Sequence, residues 1–238
     1  GKDHTTFLGD TLEKIAFEKA GIIKQNIPVV IGEYTAQTKP VFLEAAKKNN
    51  SEIYFAQDES HPNYPCGLLG DYQMKNKKTV IEVFRNLKSE FKISEDNIKN
   101  GILNVVNNTH LQGRWQILQE NPKVICDTAH NAHGLEMVMQ QLKKETYNQL
   151  HIVLGVVNDK DLDSILPLFP KNAKYYFSKP KNERGLNVTI LQEKAKTYQL
   201  NGNTYTSVSK AYKAVLEKSS DKDLIFIGGS NFVVSEII

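Results

Sequence analysis

The sequence predicts an α/β fold whose C-terminal half is a Rossmann-like, mostly parallel sheet with helices on both faces. Two observations predict it. From residue 113 onward, short apolar runs alternate with segments of helical spacing, which is the βαβ rhythm of a parallel sheet. The chain has 238 residues, 40% hydrophobic and 24% charged, which is enough for one large α/β domain or two smaller ones.

The elements of the N-terminal half follow from apolar spacing and from turn residues. Thr11 to Ala20 is predicted as a helix, with Asp10 as its cap and Gly21 as its stop. The further predicted elements are strand 28–32, helix 39–49, strand 52–56, loop 61–70, helix 73–87 and a helix from 94 to about 106. Residues 107–110 are polar and without pattern, so a domain boundary is predicted between residues 110 and 111.

The C-terminal half is predicted to alternate regularly. Its predicted strands are 113–118, 123–126, 151–157, 174–178, 203–206 and 223–227. Its predicted helices begin at Asn131 and span 161–169, 188–198 and 209–218.

The stretch from Lys123 to Gly134 is the strongest candidate for a functional site. Asp127, His130 and His133 crowd the junction between a strand and a helix, at the carboxyl end of the strand, where α/β sheets bind ligands. The free N–H groups of the helix N-terminus suit an anion such as phosphate. The residues alone leave a second interpretation open, in which Asp127 caps the helix and His130 is a polar loop residue.

Charge and cysteine content narrow the classes of partner. The net charge of +3 requires neither a nucleic-acid nor a membrane partner, and no apolar run approaches the ~18–20 residues of a membrane span. Cys66 and Cys126 lie far apart, which favours a reducing, cytoplasmic compartment over a disulfide framework. No signal peptide opens the chain. The sequence begins abruptly within a motif, so we expect its natural beginning to lie upstream.

Several separate motifs carry a resemblance to one family. Residues 3–24 resemble the signature D-H-x-x-x-L-G-x-T-x-x-x-I-A-x-E-K-A-G-I-x-K of folylpolyglutamate synthases and dihydrofolate synthases, which belong to the Mur-ligase superfamily. Gly113-Arg114 resembles the family's G-R, and residues 127–131 resemble its D-x-A-H-N, with Asp127 at the expected separation of 13 positions from Arg114.

The resemblance implies an ATP-dependent amide ligase. Such enzymes phosphorylate a folate carboxylate with ATP, and the glutamate amine then attacks the acyl phosphate. Residues 1–110 would be the C-terminal portion of the P-loop ATP-binding domain, and residues 111–238 the C-terminal Mur-ligase domain. The sequence contains no G-x-x-x-x-G-K-[ST], so the chain is expected to be an inactive fragment. Two lesser departures are Gln112, where the family often has Pro, and Thr128, where the family usually has Gly or Val.

The resemblance also assigns roles to individual residues. His4 would ligate Mg²⁺, together with Lys19, which matches a lysine that the family converts to a carbamate. Asn76 matches an adenine-contacting Asn, although Tyr72 and Lys77 replace its usual neighbours.

In the second half, Arg114 would reach the phosphates of ATP, and Asp127 and His130 would face the nucleotide. Of all these residues, Lys19, Asp127 and His130 are the candidates for catalysis.

The expected partners are folate or dihydropteroate, L-glutamate and ATP, and a monomer is expected. An alternative function is a free-standing ligand-binding or regulatory domain without an ATPase half. A metal hydrolase using His4, Asp127, His130 and His133 is disfavoured, because no H-x-x-E-H or comparable ligand set occurs.

Overall fold

The computed structural model describes residues 9–238, so His4 lies outside the described residues. The chain forms two compact units. The first contains the residues up to Leu68 together with Tyr72–His110, and the second contains Leu69–Asp71 together with Leu111–Ile238. The second unit therefore takes in a three-residue segment that interrupts the first unit in sequence.

The described part of the first unit is a small α/β layer. Its elements are α1 (Leu12–Ala20), β1 (Val29–Ile31), α2 (Lys39–Lys48), β2 (Ile53–Phe55), α3 (Gln73–Phe91), α4 (Glu95–Leu103) and α5 (Val105–Thr109). β1 and β2 pair in parallel, with Val29 opposite Ile53.

Two apolar clusters hold this unit together. Ala16 and Ala20 of α1 pack with Phe42 of α2, and Ile81 of α3 packs with Ile98 of α4. Several large side chains of the unit remain exposed, among them Phe17, Ile22, Ile27, Leu43, Met74 and Phe91.

Helix α3 continues to Phe91 instead of ending at residue 87, and the predicted helix 94–106 is divided into α4 and α5. Two further predictions, about a cap and about loop structure, are also wrong. The cap of α1 is Thr11, whose extended backbone lets its hydroxyl accept from the Lys14 N–H at 3.2 Å. Asp10 instead pairs with the Lys14 ammonium at 2.9 Å. The second error lies at the end of the unit, because the polar residues 107–110 were predicted to lack regular structure and α5 extends to Thr109.

The second unit contains a six-stranded sheet within the described residues. Its elements are β3 (Gln116–Glu120), β4 (Lys123–Cys126), α6 (Ala132–Leu142), β5 (Leu150–Leu154), α7 (Leu162–Ile165), a 3-10 turn (Leu166–Leu168), β6 (Lys174–Ser178), α8 (Val188–Thr197), β7 (Gly202–Tyr205), α9 (Val208–Lys218), β8 (Leu224–Gly228) and α10 (Asn231–Val234). The strand order is β3-β4-β8-β5-β6-β7, and all neighbours pair in parallel except β3 with β4.

The side chains of this sheet alternate between two buried faces. One face packs against α9 and α10 in a cluster that includes Val124, Cys126, Val153, Tyr176, Ile225, Ile227, Val208, Ala211 and Val233. The residues between them on the strands, such as Ile125, Ile152 and Phe226, are equally buried and face the other side. The predicted mostly parallel sheet with helices on both faces is confirmed.

Three predicted elements of this unit differ from the structure by more than one residue at a boundary. The segment predicted as strand 113–118 begins as a turn, because Gly113 (φ +70°) and Trp115 (φ +47°) are left-handed and β3 starts at Gln116. β5 ends at Leu154 rather than at residue 157. The predicted helix 161–169 is a short α7 followed by the 3-10 turn, where Pro167 has no N–H to continue an α-helix.

Within the described residues, no helix combines the length and the apolar character that crossing a membrane would require.

Candidate functional site

The carboxyl ends of β4 and β8 meet at a topological switch point of the second unit, the position at which open α/β sheets form a ligand crevice. After β4 the chain enters α6, whereas after β8 it enters α10, which packs on the face that α9 covers. The two loops therefore leave neighbouring strands toward opposite faces of the sheet. In open α/β sheets, ligands bind at such a point. Residues 127–131 and 229–230 line this edge.

Asp127 joins the loop after β4 to the turn before β3. Its side chain is buried, with one carboxylate oxygen accepting from the Trp115 N–H at 2.7 Å and the other from the Ala129 N–H at 2.8 Å. Charge-assisted bonds of this length are among the stronger ones in proteins. They hold Trp115 in a left-handed conformation that a bulky residue seldom adopts. Asp127 therefore fixes the position of the turn that carries Arg114.

Thr128 makes a second connection between the same segments. The carbonyl of Gly113 accepts from the Thr128 N–H at 3.0 Å and from the Thr128 hydroxyl at 3.1 Å. Arg114 is half-buried, and its Nη1 lies 3.4 Å from the same carbonyl oxygen of Gly113. We call the hydrogen-bonded pair formed by residues 113–115 and 127–129 the clasp.

His130 follows the clasp directly. Its Nδ1 lies 2.9 Å from the Thr128 carbonyl oxygen. Because a carbonyl only accepts, Nδ1 carries the proton in this contact, and the imidazole is oriented by the backbone of the clasp. Arg114, Asp127 and His130, which the sequence predicts as site residues, thus belong to one connected arrangement.

The residues around α6 settle which side chain caps it. The Asn131 side chain accepts from the Gly134 N–H at 2.8 Å, so Asn131 is the N-cap and the interpretation of Asp127 as the cap is wrong. His133 is exposed in the first turn of α6 and takes no part in the clasp. Ser230 caps α10 through its bond from the Phe232 N–H.

Cys126 precedes Asp127 but is poorly suited to react. It is fully buried, and its burial, with a smaller contribution from the neighbouring charge of Asp127, raises the pKa of the thiol to about 12. Because the thiolate is the nucleophilic form, the thiol is inert at neutral pH.

Another polar group lies buried at the same edge of the sheet. Ser178 ends β6, and among the described residues its hydroxyl is one of the buried side-chain atoms that lack a hydrogen-bond partner. A Cβ on Gly155, which follows β5, would lie 3.3 Å from this oxygen. Ser178 could not be singled out from the sequence, because a serine at the end of a strand is common.

Asn76 belongs to the first unit and lies on its own surface feature. It is exposed in the first turn of α3, where its amide nitrogen donates to the Gln73 side chain at 2.9 Å. It lines a cavity of about 510 Å³ whose walls come from α3, α4 and α5 and are mostly apolar. The neighbouring Lys77 is buried and donates to the Asn63 side chain at 2.8 Å and to the Tyr64 carbonyl.

Lys19 lies in the last turn of α1 and is exposed. The predicted second metal ligand, His4, is outside the described residues. Among residues 9–238, no group of three or more His, Cys, Asp or Glu side chains is arranged to hold a metal ion.

Comparison with known proteins decides the family. Residues 113–231 match the family model described as Mur ligase, glutamate ligase domain. The chain belongs to this family. The matched residues span half of the chain and contain the clasp, His130 and the loop after β8, so the candidate site lies within the Mur ligase domain.

Individual relatives extend the similarity over the whole chain. The dihydrofolate synthase/folylpolyglutamate synthase of Escherichia coli is 29% identical over 253 residues, which cover 99% of this chain and 57% of that protein. The structure titled E. coli FolC in complex with DHPP and ADP superposes with a TM-score of 0.85 at 25% identity, covering 100% of this chain and 58% of that one.

A third relative agrees in fold. The bifunctional enzyme of Yersinia pestis, solved with AMPPNP and a Mn ion, has a TM-score of 0.81 at 22% identity and covers 100% of this chain and 58% of its own. The chain thus spans 57% to 58% of the length of these three proteins, and the resemblance to folylpolyglutamate and dihydrofolate synthases is confirmed.

Proposed function

We propose that this chain is part of an ATP-dependent ligase that joins L-glutamate to a folate, with dihydropteroate as a second candidate acceptor. The observation that carries the proposal is the clasp. It connects the Arg114 turn with the Asp127–His130 loop, at the topological switch point of a Mur ligase domain. A cationic side chain beside an oriented imidazole at this edge suits a phosphate-bearing substrate.

ATP would supply the phosphoryl group that turns a carboxylate into an acyl phosphate. Arg114 can offer its guanidinium to phosphate oxygens, because its single contact within the clasp is long, at 3.4 Å. The backbone orients His130 at its Nδ1, which directs Nε2 away from the Thr128 carbonyl.

Asp127 has a double role in this proposal. Both of its oxygens accept backbone N–H groups, so its first contribution is to position Arg114. A carboxylate oxygen has more than one lone pair, so the same group can also accept a hydroxyl of the nucleotide.

Asn76 is the proposed contact for the adenine base. Its apolar cavity suits the faces of a planar base, and an amide offers both a donor and an acceptor to the base edge. As part of the same proposed function, residues 1–110 are the C-terminal portion of an ATP-binding domain, and residues 111–238 are the Mur ligase C-terminal domain.

The Mg²⁺ ion is assigned to His4 and Lys19 by the resemblance. Residues 9–238 include no group of three or more His, Cys, Asp or Glu side chains that could hold the ion. Lys19 is exposed, and an exposed amine is accessible to CO₂. We propose that in the complete gene product the neutral, deprotonated amine of Lys19 bonds to the carbon of CO₂ and releases a proton. The product is a carbamate, an anion with two oxygens in place of the ammonium cation. Intact-mass spectrometry under bicarbonate tests this: a mass increase of one CO₂ that Lys19→Arg abolishes is expected, and an equal increase in that variant contradicts it.

The function is tested by ADP release from the complete gene product and from the 238-residue chain. The complete product should release ADP only when both a folate and L-glutamate are present, and Arg114→Ala should lower that rate by about 10²–10³. The 238-residue chain should be silent, since it contains no Walker A sequence. Nucleotide binding by the complete product without folate-dependent turnover would favour the binding or regulatory domain instead.

A further inference from the structure

The inference concerns Thr128, which carries a hydroxyl at a position within the D-x-A-H-N segment that has no assigned chemistry. We propose that Thr128 is a positioning residue whose hydroxyl keeps Arg114 available for an anionic, phosphate-type ligand. The consequence for the ligand rests on the proposed function, whereas the effect on Arg114 itself stands without it.

Three donors converge on one acceptor, the carbonyl oxygen of Gly113. They are the Thr128 N–H at 3.0 Å, the Thr128 hydroxyl at 3.1 Å and the Arg114 guanidinium at 3.4 Å. A carbonyl oxygen has two lone pairs, so it satisfies two donors well. The two bonds from Thr128 are the shorter ones, and the contact of Arg114 is at the weak limit of a hydrogen bond.

The hydroxyl of Thr128 therefore competes with the Arg114 guanidinium for the carbonyl. While the hydroxyl is present, Arg114 is held loosely and its fork of donors can turn to a ligand. Without it, one lone pair of the Gly113 oxygen is released beside a guanidinium that is already 3.4 Å away. The guanidinium then gains a full bond within the clasp, and a ligand has to break that bond before it binds.

The two other contacts of Thr128 allow the hydroxyl to be tested alone. Its methyl group packs over Gly113, where an added Cβ would lie 2.7 Å from Thr128 Cγ2. Its carbonyl accepts from His130 Nδ1, and that bond belongs to the backbone. Thr128→Val keeps the branched shape and both backbone bonds but removes the hydroxyl, whereas Thr128→Ser keeps the hydroxyl and removes the methyl.

The first measurement is made on the free protein and needs no ligand. ¹⁵N relaxation of the Arg114 side-chain Nε–H reports how tightly the guanidinium is held. Thr128→Val should immobilise it, and Thr128→Ser should leave it as mobile as in the wild type. Thr189→Val is the matched control, since Thr189 is exposed in the first turn of α8, outside the clasp. Unchanged Arg114 mobility in Thr128→Val overturns the proposal.

The second measurement is the affinity of the complete gene product for ADP and for inorganic pyrophosphate, by calorimetry. Because the ligand must first break the guanidinium–carbonyl bond, whose donor is charged, both affinities should weaken by about ten- to a hundredfold in Thr128→Val. Thr128→Ser and Thr189→Val should stay within about twofold of the wild type. An equal loss in Thr128→Ser would assign the effect to the methyl and overturn the proposal.

The two measurements separate this inference from the proposed function. If the wild type binds neither ADP nor pyrophosphate, the proposed function fails, while the mobility of Arg114 still decides the role of Thr128. If the wild type binds both and Thr128→Val binds them equally well, the proposed function stands and the role of Thr128 is refuted.

Discussion

Replacing Asp127 by Ala should destabilise the second unit as well as disturb the site. The substitution removes two charge-assisted bonds, from the Trp115 and Ala129 N–H groups, in a position where the carboxylate is only 2% exposed. Hydrogen bonds to charged groups contribute about 1.5–3 kcal/mol each, and their loss leaves two donors without that partner. Because the two bonds share one carboxylate, their losses add incompletely. We expect the free energy of unfolding to fall by about 3–4 kcal/mol.

The assay uses a reporter that the chain already contains. Trp115 is the single tryptophan and is 2% exposed. Its backbone N–H is one of the two donors to the Asp127 carboxylate. Urea unfolding followed by Trp115 emission should give a lower midpoint for Asp127→Ala, and thermal unfolding should shift by roughly 10 °C for a unit of this size. The folded variant should also show a red-shifted emission, since the turn loses its left-handed restraint.

Two variants bracket this prediction. Asp127→Asn retains one acceptor oxygen and should lose about half as much stability, because its amide nitrogen cannot accept the second N–H. Asp221→Ala, at an exposed position in the turn before β8, should change stability by less than about 0.5 kcal/mol. A loss below about 1 kcal/mol in Asp127→Ala, with unchanged Trp115 emission, would refute the reasoning that these bonds hold the turn.

Three further predictions concern other groups of the second unit. Burial lowers the pKa of His151 and outweighs the opposing effect of Asp223, so the folded state favours the neutral ring. This contribution to stability should be fully present above about pH 6.5 and should fall as the pH drops below that value. In urea unfolding measured at several pH values, His151→Gln should reduce this pH dependence. Ser178→Ala removes a buried hydroxyl that has no hydrogen-bond partner among residues 9–238, so the melting temperature should stay equal or rise, and a fall would contradict the assignment. His130→Ala in the complete gene product should lower turnover by about 10²–10³, whereas His133→Ala, which alters an exposed residue, should leave it within twofold; equal losses in steady-state rates would refute the distinction.

Some elements could be predicted closely from the sequence because local signals sufficed. The strands Lys123–Cys126 and Lys174–Ser178 were predicted with their observed bounds. Both contain short apolar runs, and both are buried central strands of a parallel sheet. The helix predicted from Asn131 begins one residue later, at Ala132, and the sequence does not decide its cap, because Asp127 and Asn131 are both good capping types.

The turn before β3 could not be predicted, because tertiary contacts determine it. Gly113-Arg-Trp-Gln-Ile-Leu has the composition of a strand, and Trp115 favours extended backbone by its own propensity. The bond from its N–H to Asp127, which lies 12 residues away, holds it in the left-handed region instead. The motif residues themselves were found by resemblance, but the roles of Asp127 and Thr128 as clasp residues depend on distances that a sequence lacks.

The segment Leu69–Asp71 affects any experiment that divides this chain. It belongs to the second unit although it lies 40 residues before the rest of that unit begins. The Gln141 side chain accepts from the Asp71 N–H at 2.6 Å and donates to the Leu69 carbonyl at 3.0 Å, and Lys144 pairs with the Asp71 carboxylate at 2.6 Å. A protein cut before Leu111, the boundary that the sequence predicts, would leave Gln141 without both partners. A short peptide containing residues 69–71, added in trans or fused ahead of Leu111, should therefore restore stability to such a truncated domain.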